Sequence, residues 1–101
     1  MKLPEEADNL IYWTTATQVH DPSSDKDYLL AANSVGSIFG LYNKGPESFE
    51  KEKVFSFADQ SAVVTMACDR SRGIVAAGNA TGFVIFLQSS GGKKVEPIGS
   101  L

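Results

Sequence analysis

The chain is poor in cysteine, histidine and basic charge. Cys68 is its only cysteine, so no disulfide can close within the 101 residues, which fits a reducing compartment. His20 is the only histidine, and one His with one Cys falls short of a zinc ligand set, so no metal is expected. The formal net charge of −3 disfavours direct nucleic-acid binding, which needs a basic surface. The pairings Lys51/Lys53 and Lys93-Lys94 read as solvated turn lysines. No apolar run approaches the ~18 to 20 residues that span a bilayer. The start, Met1-Lys2-Leu3-Pro4-Glu5-Glu6, lacks the basic and apolar segments of a secretory signal, which predicts a cytoplasmic location. No stretch keeps a helical period; residues 4–10 have only a weak capacity for one helical turn. What remains is 43% apolar and 21% charged, the composition of a folded domain.

An internal repeat organises that composition. Tyr28-Leu29-Leu30-Ala31-Ala32-Asn33-Ser34-Val35-Gly36-Ser37-Ile38-Phe39-Gly40-Leu41 aligns with Ile74-Val75-Ala76-Ala77-Gly78-Asn79-Ala80-Thr81-Gly82-Phe83-Val84-Ile85-Phe86-Leu87, 46 residues later. Asn33/Asn79, Gly36/Gly82 and Leu41/Leu87 are identical, and the apolar and small positions match in kind. A period of roughly 40 to 45 residues with four strands per unit is that of propeller blades. Turn residues divide each unit into four strands: 11–20, 28–33, 36–42 and 52–57, then 62–69, 73–78, 82–88 and 94–98. The triplet Asn79-Ala80-Thr81 reads as a turn and not as a glycosylation site.

Strand composition predicts burial on both faces. Residues 83–87, Phe-Val-Ile-Phe-Leu, are apolar at consecutive positions, whereas a sheet wet on one side alternates. Ala31-Ala32 and Ala76-Ala77 suit close approach of neighbouring sheets. The last strand of each unit carries Lys, Glu or Pro, residues that guard a sheet edge.

These residues resemble WD40 repeats over about residues 11–98. The turn glycines, Gly36 and Gly82, are in place, but Val35 and Thr81 replace the turn Asp, and Leu41-Tyr42 and Leu87-Gln88 replace the closing Trp-Asp. Ala58-Asp59 stands where the family has Gly-His, so its Asp, His, Ser/Thr and Trp tetrad cannot form. The resemblance implies an all-β fold of two four-stranded antiparallel blades, an incomplete ring, with residues 1–10 leading, 11–57 as blade 1 and 58–101 as blade 2. The stretches 27–36 and 73–82 are similar to the N-terminal propeller of the tectonin β-propeller repeat-containing protein 2 and Hermansky-Pudlak syndrome protein type. That resemblance implies a non-enzymatic protein-protein scaffold in endolysosomal trafficking or autophagy, peripheral to those membranes. The mRNA-export propeller of THO complex subunit 6 looks similar over the same stretches. Two blades cannot close a ring of ~4 to 8, so the chain is expected to be part of a longer protein or of an assembly. Its partners are then other proteins and further blades. A complete two-unit protein would instead pack its sheets as a small sandwich or partial barrel.

Candidate chemistry is sparse. His20 reads as a turn residue, and Cys68 as a small buried residue ending its strand. Glu5-Glu6 and Glu47/Glu50/Glu52 read as solvated charge on a tail and a loop. Gly91-Gly92-Lys93-Lys94 fails as a phosphate loop, since Leu87 and Lys94 stand where a glycine and a Ser or Thr are needed. No catalytic residue, cofactor or small-molecule substrate is expected; the alternative, a self-contained β-domain that binds a ligand, would need a pocket of converging polar groups. Tyr12 and Trp13 suit either a partner contact or the first core. Phe49, in the expected loop 43–51, is a candidate exposed contact; Phe55 and Phe57 are expected in the core.

Overall fold

The computed structural model describes residues 11–46, 48–89 and 95–101, which contain strands and turns and no helix. The lead segment 1–10 with its expected helical turn, Glu47, and the stretch 90–94 lie outside the described residues.

Eight strands form two antiparallel meanders. Sheet A has the order β1 (Trp13–Asp21), β2 (Lys26–Asn33), β3 (Ser37–Gly45), β4 (Ser48–Ser56). Sheet B has the order β5 (Val63–Asp69), β6 (Ile74–Asn79), β7 (Val84–Gln88), β8 (Glu96–Ser100). The sheets form an open pair, not a closed ring, and approach most closely where β1 meets β5.

Two of the three repeat identities, Asn33/Asn79 and Gly36/Gly82, are turn chemistry. Asn33 Oδ1 accepts the N–H groups of Val35 (3.1 Å) and Ser37 (2.9 Å); Asn79 Oδ1 accepts those of Thr81 (3.2 Å) and Phe83 (2.9 Å). Each carbonyl also accepts the N–H of a glycine three residues on, Gly36 or Gly82, whose φ of 82° or 97° disfavours a side chain. The outer hairpins follow a second rule. Asp21 Oδ1 accepts the Ser23 N–H (3.0 Å) and hydroxyl (2.7 Å), and Asp69 Oδ1 accepts the same groups of Ser71 (3.1 and 2.8 Å).

One core joins the sheets. Val19, Leu30, Ala32, Ile38 and Phe57 from the first half meet Val63, Val75, Ala77, Ile85, Leu87 and Val95 from the second. Leu30, Ile38 and Leu87 are fully buried, each worth about 1.5 to 3 kcal/mol of transfer free energy. Ala32 and Ala77 are also fully buried, as expected of small residues between closely packed sheets.

The inward face is not the same in the two copies. In sheet A, Leu30, Ala32 and Ile38 point inward; their repeat equivalents Ala76, Gly78 and Val84 lie on the half-exposed face of sheet B. In sheet B, Val75, Ala77, Ile85 and Leu87 point inward; their equivalents Leu29, Ala31, Phe39 and Leu41 lie on the outer face of sheet A. The internal joint therefore packs one face of the repeat against its opposite face. A two-fold sandwich would use the same face twice.

Four expectations are corrected. The expected loop 43–51 is mostly strand, because the β3–β4 ladder runs on through Asn43↔Phe49 to Gly45↔Ser48; Phe49, Glu50 and Glu52 therefore stand on β4. Phe83 is not in the buried strand: it is 55% exposed, and its carbonyl accepts the Asn79 N–H to close the hairpin (3.0 Å). Cys68 is exposed, because β5 is an edge strand in which only Val63 is buried. His20 lies within β1, since the first hairpin is longer than its counterpart: β1 and β2 have 9 and 8 residues against 7 and 6 in β5 and β6.

The tip of that longer hairpin presses on Gly73. Asp25 (φ 59°) and Gly73 (φ 68°) hold the same left-handed turn position, but a Cβ at Gly73 would sit 2.5 Å from the His20 carbonyl oxygen and 2.7 Å from that of Ser89. Neither backbone oxygen can swing away. Gly73→Ala is expected to cost at least about 2 kcal/mol, the left-handed penalty plus overpacking. Thermal unfolding should show a midpoint at least about 8 °C lower.

Candidate functional site

The outer face of sheet A collects most of the exposed apolar surface on the first half. Opposed residues on antiparallel strands share a face, so the rows Ala16, Ala31, Phe39, Lys53 and Gln18, Leu29, Leu41, Lys51 cross it in order. Trp13 caps one corner, its ring edge-on to Phe39 at 5.7 Å and 87°. Lys51 Nζ lies 5.1 Å from the Phe39 ring centre and 5.8 Å from that of Trp13; Lys53 Nζ lies 5.8 Å from Phe39. The ammonium groups sit on ring faces that attract cations, so the stems cover apolar surface while the charge stays wet.

The three candidate contacts are exposed: Tyr12 by 61%, Trp13 by 54% and Phe49 by 68%. Tyr12 and Trp13 share a cleft of about 300 Å³ with Phe39 and Lys51. Tyr12 is pinned at the rim by reciprocal bonds with Ser34, its N–H to the Ser34 hydroxyl (3.1 Å) and its carbonyl from the Ser34 N–H (2.9 Å). Phe49 lies on the same face as Trp13 but at the diagonal corner, on the far strand, so one small ligand would not meet all three. A shallow trough of about 500 Å³ runs between, over Ala16, Ala31 and Leu41.

A second cleft, about 300 Å³, opens between the sheets beside Phe55, Phe57, Phe83, Ile85 and Leu101. Asp59 is the carboxylate at its mouth, and it is already engaged. Asp59 accepts the Thr81 hydroxyl, the Asn79 side-chain N–H (3.1 Å), and the Ser61 N–H and hydroxyl (both 3.2 Å). This network ties the linker 57–62 to the β6–β7 turn. Asp59, Asn79 and Thr81 are legible in the sequence only one by one, and the fold joins them into this network.

Two polar bridges tie the halves together. The Val95 N–H donates to the buried Tyr42 hydroxyl (3.3 Å), and Tyr42 is braced edge-on by Tyr28 at 5.3 Å. Gly40 leaves the room: a Cβ there would meet the Tyr42 ring. At the hairpin tip, Arg70 Nη1 pairs with Asp27 Oδ1 (3.2 Å), which also bonds His20 Nδ1 (2.8 Å).

Among the described residues the titratable groups do not converge on one site. His20 is committed to Asp27, and Cys68 stands on β5 opposite Val75. Among the described residues no group of three or more His, Cys, Asp or Glu is placed to hold a metal ion. No described helix is long and apolar enough to cross a membrane. The arrangement offers a flat aromatic and aliphatic face with two ammonium groups, suited to burial against another protein surface. No protein-family model matches the chain, and no curated protein or solved structure does.

Three exposed carboxyls are held below the usual carboxylate range. The His20 hydrogen bond does this first for Asp27, the Thr81 hydroxyl for Asp59 and the Ser71 hydroxyl for Asp69. Groups whose folded pKa is depressed stabilise the fold above the unfolded value of about 3.9 and lose that contribution as pH falls through the folded value. Denaturant midpoints should hold steady from neutrality down to about pH 5 and drop below about pH 4. Asp59→Asn should shrink the drop; an unchanged profile would mean the network contributes nothing.

Proposed function

We propose that this chain is a non-enzymatic interaction scaffold, two WD40-like blades that work inside a larger β-propeller assembly. The exchange of faces between the two copies carries the proposal. A joint that uses opposite faces of one repeat extends in a single direction, as blades do around a ring. Repeat units of this kind bury their faces on neighbours, and about three or more are usual. The exposed rings of Tyr12, Trp13 and Phe49 are the assigned partner contacts. Aromatic side chains of this size dominate binding energy at protein interfaces. The assigned setting is endolysosomal trafficking or autophagy, from the resemblance of stretches 27–36 and 73–82, with an mRNA-export assembly as the alternative.

Affinity capture from crosslinked cells tests this. Trafficking or autophagy proteins are expected with the unaltered chain and with the pair His20→Ala and Cys68→Ser. Capture should fall at least about tenfold with Tyr12→Ala, Trp13→Ala and Phe49→Ala together. Recovery of mRNA-export subunits alone would move the protein to the second setting. A turnover that depends on His20 would overturn the scaffold reading.

A further inference from the structure

The two outward faces match each other, which identifies what covers them. The outer face of sheet A (Leu29, Ala31, Phe39, Leu41) is the repeat equivalent of the surface that sheet B already buries. The outer face of sheet B (Ala76, Gly78, Val84) is the equivalent of the surface that sheet A already buries. The chain thus holds one completed joint and, at its opposite ends, the two halves of another. Charge follows the same pairing. Lys51 and Lys53 stand on β4 at the ends of the outer rows of sheet A, while the row Asp69, Ile74, Gln88, Glu96 crosses the outer face of sheet B, with Asp69 already paired to Arg72 (3.1 Å) and Glu96 on β8 at the other end. Opposite charges on two faces favour that docking over like with like.

We propose that the outer face of sheet A receives the outer face of sheet B from a second copy of this chain, head to tail. The new joint uses the same strand positions as the internal one, with Lys51 and Lys53 of one copy facing Glu96 of the next. Head-to-tail joints close into a ring when the rotation per copy divides the circle. Two to four copies would supply the roughly four to eight sheets that such rings contain. This inference rests on the blade reading and adds the identity of the neighbour.

The test uses the purified chain, with sedimentation velocity over a range of concentrations. Leu29→Lys places a charge on the outer face of sheet A, and Ala67→Lys does so on that of sheet B, where Ala67 pairs with Ala76. Both positions are exposed, so each variant should keep the β-sheet circular dichroism and cooperative melting of the parent. The unaltered chain should self-associate, and each variant should do so at least about tenfold more weakly. Mixed in equal amounts, the two variants should form a dimer, because one joint between them has both faces intact. A parent that stays monomeric at every concentration overturns the proposal. So does self-association blocked by one substitution alone, which would mean like faces pair, or a mixture that stays monomeric. Partner capture by a monomeric chain would remove the second copy and leave the scaffold standing; self-association without capture would do the reverse.

Discussion

A sheet that is apolar on both faces needs two companions, and each sheet here has one. That constraint organises the molecule. Residues 83–87 and the alanine pairs would be unreasonable in a sheet wet on one side, where charged residues on alternate positions cost nothing. In this chain one face of each sheet enters the common core with Leu30, Ile38, Val75 and Leu87. The other face keeps Leu29, Phe39 and Leu41 in sheet A, or Ala76, Val84 and Phe86 in sheet B, against solvent. The lysines laid over Trp13 and Phe39 shield part of that surface without replacing a packed neighbour.

Register protects this division of faces. A one-residue slip would send every core residue of a strand to the solvent side. Asn33 and Asn79 resist slippage by binding two N–H groups each across the turn, so the inner hairpins close at one fixed residue. Asp21 and Asp69 do the same for the outer hairpins. The bulges in β1 and β5 fall at matching places, between Trp13/Thr15 and Val63/Thr65, so Trp13 and Val63 pair alike with Asn33 and Asn79, the first on the outer face and the second in the core. Asn33/Asn79 and Gly36/Gly82 are two of the three identical pairs in the repeat, and few other side chains can do their work.

What was legible in the sequence was what depends on local pattern. All eight strands, both meanders and the glycine turns follow from turn residues and apolar runs. Three features depend on distant parts of the chain and were not legible. Phe49 looked like loop because Gly45-Pro46 breaks the pattern, yet pairing with β3 carries the strand through it. Cys68 looked buried because its neighbours are apolar, but it stands exposed on an edge strand in which only Val63 is buried. Asp59 looked like the absence of a motif, because its partners Asn79 and Thr81 lie about twenty residues away and meet it only once the linker has crossed the turn.

The polar contacts at the joint between the sheets carry its specificity. The Tyr42 hydroxyl accepts the Val95 N–H across the core, over the space left by Gly40. Gly73 admits the carbonyl of His20, and the longer first hairpin carries Asp27 out to Arg70. None of these contacts has a twin on the open faces: the equivalents of Tyr42 and Gly40 in sheet B are Gln88 and Phe86. The apolar rows of the joint are therefore repeated at the ends of the molecule, while its polar locks are not. An intermolecular joint built on the same rows would keep the direction of the internal one, hold less tightly, and open first.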